Sequence, residues 1–517
     1  MKQKKVLLMI LDGWGIGGNN RNNAVYAAKT PILDGLKKKY PQTSLLCSGK
    51  DVGLPPAIMG NSEVGHLNIG AGRVVYQNLL KINESIKNKI FFENFAVNSV
   101  MDKVLKTERS LHVIGLLSDA GVHSHINHLF AIIDMAKKKG IKKLFVHAIT
   151  DGRDTPPDSG LSYIKKTANY LSEIKCGQIA SICGRYFAMD RDKRWKRIKT
   201  AYNLYTKGEG IKEEQPIDAI KKAYQKQETD EFIKPIIIID KKNKPLSIIK
   251  DNDGIIFFNF RADRAREITA AFTEPNFNKF IRAYTPKLCE FVSMTQYDDK
   301  LKNPLTAFAP NRLKNILGEV IANNDLRQLR IAETEKYAHV TYFFNAGEEK
   351  SFLNEDRILI ESPKSVATYD QKPEMSAFEV TEKALKNIKK NKYHLIVINF
   401  ANMDMVGHTG KLDAAIKACE TVDNRVGKIL PEALNADMSV IVTADHGNAE
   451  IMQDKNGKPH TAHTTNPVPF ILVEKNIKNI KLKIGRLADI APTILDIMNI
   501  KQPKEMTGNS LIVSVTT

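Results

Sequence analysis

The sequence predicts an α/β protein built on doubly wound sheets. Three observations predict it. Continuous apolar runs of strand length recur along the chain. Stretches with apolar residues at helical spacing separate them. Several runs end in an acidic residue, at the carboxyl ends of strands where open α/β sheets bind their ligands.

The first run is Lys-Val-Leu-Leu-Met-Ile-Leu at 5–11. Others follow at 110–117, 143–150, 178–183, 235–240, 255–260, 393–400 and 438–443. Unbroken apolar character over so short a span suits strands of a parallel sheet, buried on both faces. Residues 129–139 and 412–428 carry the i, i+3, i+4 apolar pattern of helices. No internal repeat or long low-complexity segment interrupts the alternation.

Composition narrows the class. The 517 residues, 42% hydrophobic and 26% charged, give two or three domains ample core. No apolar run approaches the ~18 residues of a membrane span. The run after the basic start is too short for a secretory signal and ends in Asp12. Five cysteines without a CxxC pair fit a reducing cytoplasm and disfavour a thiolate zinc site. The net charge of +19 invites a nucleic-acid reading. The lysines are scattered in short runs, at 37–39, 137–139 and 241–242, and aromatic content is 7%. With no zinc finger or basic heptad region, nucleic acid is not the expected partner.

Three strand ends deliver an acid: Leu11-Asp12-Gly13, Asn402-Met403-Asp404 and Thr443-Ala444-Asp445. Two add histidine, as His408 and His446, and His460-Thr-Ala-His463 lies downstream. A single strand-end Asp is usually a turn former or cap. Three with nearby His suit a pair of Mn²⁺ or Zn²⁺ ions, which take mixed oxygen and imidazole ligands. Spacing alone does not choose between His460 and His463. Paired metals serve phosphoryl transfer, and a nucleophile is then expected. Ser62 in Met59-Gly-Asn-Ser-Glu-Val-Gly-His66 is the candidate, set among small residues where a helix start can aim N–H groups at a phosphoryl group. Read in isolation, Ser62 is an N-cap serine. His66 stays outside the assigned site, and His112, His147 and His394, beside apolar runs, read as structural.

These segments resemble the cofactor-independent phosphoglycerate mutases of the alkaline phosphatase superfamily. The resemblance rests on Leu11-Asp-Gly-Trp-Gly15, Gly60-Asn-Ser-Glu-Val-Gly-His66, Thr443-Ala-Asp-His-Gly-Asn-Ala-Glu450 and His460-Thr-Ala-His463. Between them it includes Ser118-Asp-Ala-Gly-Val-His-Ser-His125, His147-Ala-Ile-Thr-Asp-Gly-Arg-Asp-Thr-Pro-Pro157, Gly184-Arg-Tyr-Phe-Ala-Met-Asp-Arg191 and Asn259-Phe-Arg-Ala-Asp-Arg264. The metal motifs alone would indicate only the superfamily, and so a phosphatase or another phosphomutase. The intervening motifs discriminate.

The resemblance implies an alkaline-phosphatase-like α/β/α sandwich with a second α/β domain inserted into it. It implies one Mn²⁺ on Asp404, His408 and His463, and another on Asp12, Ser62, Asp445 and His446. Zn²⁺ or Co²⁺ would also suit these ligands. It further implies that His123, Arg153, Asp154, Arg185, Arg191, Arg261, Arg264 and Lys336 bind substrate. Arg forks are the chemistry needed for a phosphate and a carboxylate. Asp154 would serve the glycerate hydroxyls as base and acid, and Lys336 would approach the transferring phosphate. The implied reaction interconverts 3-phosphoglycerate and 2-phosphoglycerate through a phosphoserine on Ser62. A cytoplasmic monomer with a small-molecule substrate is expected.

Sharing one metal among Asp12, Ser62, Asp445 and His446 requires the two chain ends to form one discontinuous domain. Residues 1–76 and 311–517 are expected to make it, with 77–310 inserted. Turn residues at Gly70-Ala-Gly72, Asn303-Pro304 and Ala309-Pro310 accompany the crossings.

Overall fold

The computed structural model describes residues 3–310, 312–475 and 480–514. The chain divides into two compact units, Met1–Gln77 with Arg312–Thr517, and Asn78–Asn311. Asn311, at the expected second crossing, lies outside the described residues.

The unit of the two chain ends is built on an eight-stranded sheet. Its order is Glu355–Ile360, Gln328–Glu333, Leu395–Phe400, Lys5–Leu11, Met438–Thr443, Val468–Val473, Gln42–Leu46 and Gly485–Arg486. Lys5–Leu11 is central and parallel to both neighbours. Its apolar side chains are buried on both faces, which explains the unbroken hydrophobic run. Register matters for the site: Leu11 pairs with Phe400, and Ile10 with Thr443. Three strands therefore end nearly level, and the residues after them emerge at one edge. Val468–Val473 runs antiparallel to Met438–Thr443, so its start opens at that same edge. The helix Leu412–Asn435 buries Ala415, Ala418, Cys419, Val422, Val426 and Ile429, a 3–4 spacing that lays one stripe on the core.

The second unit has its own eight-stranded sheet, in the order Leu305–Phe308, Glu290–Thr295, Gly254–Phe257, Leu111–Leu116, Leu144–Thr150, Gln178–Gly184, Ile236–Ile238 and Ile211–Glu213. The expected strand at 235–240 shortens to three residues and pairs antiparallel with Gln178–Gly184. The run at 255–260 is ladder strand only to Phe257. Beyond it, Phe260 N donates to the His123 carbonyl at 2.8 Å, which steers Arg261 toward His123. His112 and His147 belong to a buried polar row across this sheet. Ser181 Oγ lies 2.7 Å from His147 Nδ1, His147 Nε2 2.8 Å from His112 Nδ1, and His112 Nε2 3.2 Å from Asp253 Oδ2.

Candidate metal centre and anion clamp

Asp12 follows the central strand directly, and Asp404 sits in the short helix Asn402–Gly407 after the next one. Asp445 and His446 follow the third strand, and His463 precedes the antiparallel one. Two glycines allow the close approach. Gly13 has φ +81°, and a Cβ on it would lie 2.7 Å from Asp404 N. A Cβ on Gly65 would lie 2.9 Å from the Asp445 carbonyl, so this glycine lets the helix Ser62–Ala71 press on the metal-site strand. Asn61 is that helix's N-cap, accepting from Val64 N at 2.9 Å. Ser62 is thereby released from the capping role that its position suggested.

Ser62 Oγ donates to Asp12 Oδ1 at 3.2 Å and lies 2.9 Å from His446 Nε2. Lys336 Nζ donates to Ser62 Oγ at 2.6 Å, to Asp12 Oδ1 at 2.7 Å and to Asp404 Oδ2 at 2.5 Å. Lys336 belongs to the same unit as Ser62, in the short helix Thr334–Ala338, and is buried. Donor atoms converge in two sets within 4.8 Å: Asp12, Asp445 and His446; and Asp404, His446 and His463. His446 belongs to both. His408 stands beside the second, its Nε2 3.1 Å from Asp404 Oδ1 and 3.1 Å from His463 Nε2. His460 is turned elsewhere, with Nδ1 3.2 Å from the Ile451 carbonyl.

The electrostatics call for cations. Burial alone would lower His446, but Asp445, Asp404 and Asp12 overcome it and push it up to about 10. Burial would raise Asp12, yet Lys336 and His446 hold it below its ordinary value. His408 is raised by its hydrogen bond to Asp404. Asp445 Oδ2 is buried and accepts no hydrogen bond. His66 Nδ1, 3.2 Å from it, is 2.8 Å from the Ser62 carbonyl. His408 and His463 each turn Nδ1 to a backbone carbonyl, of Thr461 at 2.7 Å and Gly60 at 2.9 Å, so in neutral rings both Nε2 atoms carry lone pairs, and these face each other and one Asp404 oxygen. These donors fit divalent cations.

Sequence reasoning left three supports unassigned. Asn399 Nδ2 donates to Asp12 Oδ2 at 2.8 Å and lies 3.0 Å from His66 Nε2. Asn448 Nδ2 donates to Asp404 Oδ1 at 2.9 Å. His66 itself spans Ser62, Asp445 and Asn399. Such outer partners orient metal ligands. His66 and Asn448 fell inside quoted motifs, but Asn399 carried no local signal.

In the other unit the arginines gather at the carboxyl ends of its strands. Arg185 is buried, and Nη1 donates to Asp151 Oδ1 at 2.6 Å and Asp154 Oδ2 at 2.5 Å. Arg191 Nη1 and Arg261 Nε each lie 3.2 Å from the Asp263 carboxylate. Arg264 Nη1 donates to the Met189 carbonyl at 3.0 Å, and Arg153 Nη1 lies 3.6 Å from Glu231. His123 sits between Asp154 and Asp263, at 3.8 and 3.7 Å. Burial, with Arg185 beside it, lowers His123 to about 4. A cavity of about 240 Å³ is lined by Arg153, Arg185, Arg194 and Arg264. Asp151 and Asp263 brace the forks; neither had been singled out from sequence.

Comparison with known proteins places both units. Residues 82–299 match the family described as BPG-independent PGAM N-terminus, and residues 285–493 match type I phosphodiesterase / nucleotide pyrophosphatase. A 2,3-bisphosphoglycerate-independent phosphoglycerate mutase of Clostridium botulinum is 53% identical over 513 residues, covering 99% of this chain and 100% of its own. One from Acetivibrio thermocellus is 52% identical over 516 residues, with the same coverage of 99% and 100%. A crystal structure of Leishmania mexicana phosphoglycerate mutase at low cobalt concentration superposes with TM-score 0.62 and 32% identity, over 100% of this chain and 98% of that one.

Proposed function

The chain belongs to the 2,3-bisphosphoglycerate-independent phosphoglycerate mutases and interconverts 3-phosphoglycerate and 2-phosphoglycerate; we propose that Ser62 is the transient phosphoryl acceptor. The family works at a dinuclear divalent-metal site. In this chain Asp404, His408 and His463 would hold one ion, and Asp12, Ser62, Asp445 and His446 the other, both Mn²⁺. When bound, these ions would lower the charge cost of ionising Ser62 and of the crowded phosphoryl oxygens.

The observation that carries this reading is the setting of Ser62 Oγ, 2.6 Å from an ammonium and 2.9 Å from an imidazole at a helix start. Ser62 Oγ gives up its proton to solvent, attacks phosphorus, and the bond from phosphorus to the glycerate oxygen breaks. Asp12 accepts the hydrogen bond of the serine hydroxyl and keeps the attacking lone pair directed. Lys336 offers its charge to the phosphoryl oxygens during transfer. Asp154, aligned by Arg185, protonates the departing glycerate oxygen and takes the proton from the other hydroxyl. That hydroxyl then recovers the phosphoryl group from Ser62. Arg153, Arg185, Arg191, Arg261, Arg264 and His123 hold the glycerate in the meantime.

We place the enzyme in the cytoplasm as a monomer, in keeping with five free cysteines and a small-molecule substrate. No helix among the described residues is long and apolar enough to cross a membrane. The deciding assay follows 3-phosphoglycerate to 2-phosphoglycerate conversion without added 2,3-bisphosphoglycerate, with and without Mn²⁺. Conversion that needs 2,3-bisphosphoglycerate and ignores Mn²⁺ would overturn the reading.

A further inference from the structure

The parallel strands of the inserted unit have a second end, away from the arginine clamp. There a cavity of about 550 Å³ opens among Arg109, Lys143, Lys244 and Lys250, with Phe145, Pro245, Leu246 and Ile248 as its apolar wall. Ser110 and Lys143 immediately precede the strands Leu111–Leu116 and Leu144–Thr150, whereas His123 and Asp154 follow them. At ~3.3 Å per residue, a six-residue strand separates the two ends by roughly 20 Å. The cavity is therefore distinct from the clamp.

In a chain of net charge +19, an unpaired surface lysine carries no information by itself. The convergence does. Among the described residues, none of the four cations lies within 4.0 Å of a carboxylate. The acids nearby are already used. Asp253, which lines the cavity, accepts from Ser110 N at 3.0 Å and Lys250 N at 2.8 Å, and lies 3.2 Å from His112 Nε2. Asp251, whose charge Arg109 feels, is held by Tyr284 Oη at 2.9 Å and Lys287 N at 2.8 Å. Lys143 Nζ reaches only a backbone carbonyl, that of Glu108, at 3.1 Å. Four cationic residues thus line one cavity whose own acid is held by two backbone N–H groups and by His112.

The wall adds a second requirement. Phe145 is half-buried, and its ring is stacked at 5.8 Å and 29° on the buried His112 ring. That packing fixes the phenyl group beside the cations and leaves part of it accessible. A small polyphosphate alone would use the rim and leave this surface wet. A nucleoside polyphosphate satisfies both, with phosphates on the cations and the base against Phe145, Pro245 and Leu246. The volume lies within the range of small-molecule sites.

We infer that this cavity binds a nucleoside di- or triphosphate, at a site separate from the phosphoglycerate clamp. The inference does not depend on the catalytic assignment.

The test is calorimetric titration of the full-length protein with ATP, pyrophosphate or adenosine, at saturating 3-phosphoglycerate and near-physiological salt. ATP is expected to bind, pyrophosphate more weakly, and adenosine most weakly. The double variant Lys143→Glu/Lys250→Glu should weaken ATP by at least about tenfold, through loss of charge-assisted contacts. Lys383→Glu/Lys386→Glu, the same charge change on exposed positions of the helix Ala377–Lys389, should leave the affinity within about twofold. Lys244→Glu, in an exposed turn, gives a second variant should the double one unfold, and must also weaken ATP. No ATP binding up to about 1 mM would overturn the proposal. So would equal losses in the two double variants, which would reduce the effect to long-range charge. Pyrophosphate binding as tightly as ATP would overturn the nucleoside assignment.

Discussion

Lys336 and Ser62 are in direct contact: the buried ammonium donates to the serine oxygen at 2.6 Å while bridging Asp12 and Asp404. One cation therefore bridges two carboxylates, offsetting one of their two negative charges, and touches the proposed nucleophile. Removing one partner of a buried ion pair typically costs about 3–5 kcal/mol, because the remaining charge is left uncompensated. Lys336→Met should therefore destabilise the metal-free protein by roughly that amount. Added Mn²⁺ should restore much of it while turnover stays low. Denaturant titration with and without Mn²⁺ checks this; equal stability of variant and wild type without metal would mean that the bridge is not formed.

The second prediction concerns protons and metal. His446 is pushed up to about 10, so near neutral pH it is protonated in metal-free protein. Ligation requires the neutral ring, and binding must release that proton. Mn²⁺ affinity should rise with pH, by up to about tenfold per unit for each proton displaced. Titrations in buffers of different ionisation enthalpy count the protons directly. Chelator should abolish activity and Mn²⁺ restore it, with excess Mn²⁺ partly opposing an acid loss. Full activity in protein stripped of metal by elemental analysis would refute the dependence.

Ser62→Ala isolates the nucleophile. Because Asn61 holds the cap, any loss of stability should come from the hydrogen bonds of Ser62 Oγ to Lys336, Asp12 and His446, roughly 1–3 kcal/mol in the metal-free protein. Substrate should still bind, and mutase turnover should vanish. A variant with near wild-type rate would reduce Ser62 to a ligand.

Acid should weaken the inserted unit independently of any metal. His128 is fully buried in the helix Ile126–Lys139, with Nε2 2.8 Å from Asn83 Oδ1. Burial, with His125 nearby, lowers it to about 3. The unfolded chain then binds a proton that the native state refuses. Stability is complete above the unfolded value near 6.5 and falls as pH drops from there toward 3, by up to ~1.4 kcal/mol per unit. His128→Gln should flatten that slope between pH 6.5 and 4 in thermal melts; an unchanged slope would assign the acid loss to other groups.

How much of this was legible in sequence follows from where each signal lies. The strands Lys5–Leu11, Leu395–Phe400 and Met438–Thr443 were readable because both faces are buried and the runs are mostly apolar. Gln328–Glu333 was not, since Gln328, Arg330 and Glu333 interrupt it. All three are buried nonetheless: Arg330 donates to Gln328 at 2.7 Å and lies over the Phe344 ring at 4.5 Å. Gln328 also donates to the Gly318 carbonyl at 2.8 Å and Glu333 accepts from Ser362 at 2.8 Å, so buried polar residues whose partners lie in other segments erase the apolar pattern. Acids at strand ends were visible for the opposite reason, since nothing structural explained them. Asn399 and Asp263 were invisible in these roles, because what they do exists only as contacts with Asp12 and with Arg191 and Arg261.

The last prediction separates carrying the phosphoryl group from holding the glycerate. A mutase must retain glycerate while Ser62 is phosphorylated, because its escape leaves phosphoserine open to water. Arg191 is suited to that retention. Its side chain is 45% exposed and tethered to Asp263 on one nitrogen, so other N–H groups of the fork remain for an anion. Arg191→Ala removes a charge-assisted contact worth roughly 1.5–3 kcal/mol. At tenfold per 1.36 kcal/mol, glycerate loss should rise about ten- to a hundredfold if this contact holds the intermediate. The fold should survive, because Asp263 keeps Arg261 at 3.2 Å. Less 2-phosphoglycerate should form per phosphoryl group consumed, with more free glycerate and inorganic phosphate. Were Arg191 only a docking residue, KM would rise and the product ratio would stay fixed. Quantifying both products in one reaction decides between them: an unchanged ratio at reduced rate removes the retention role.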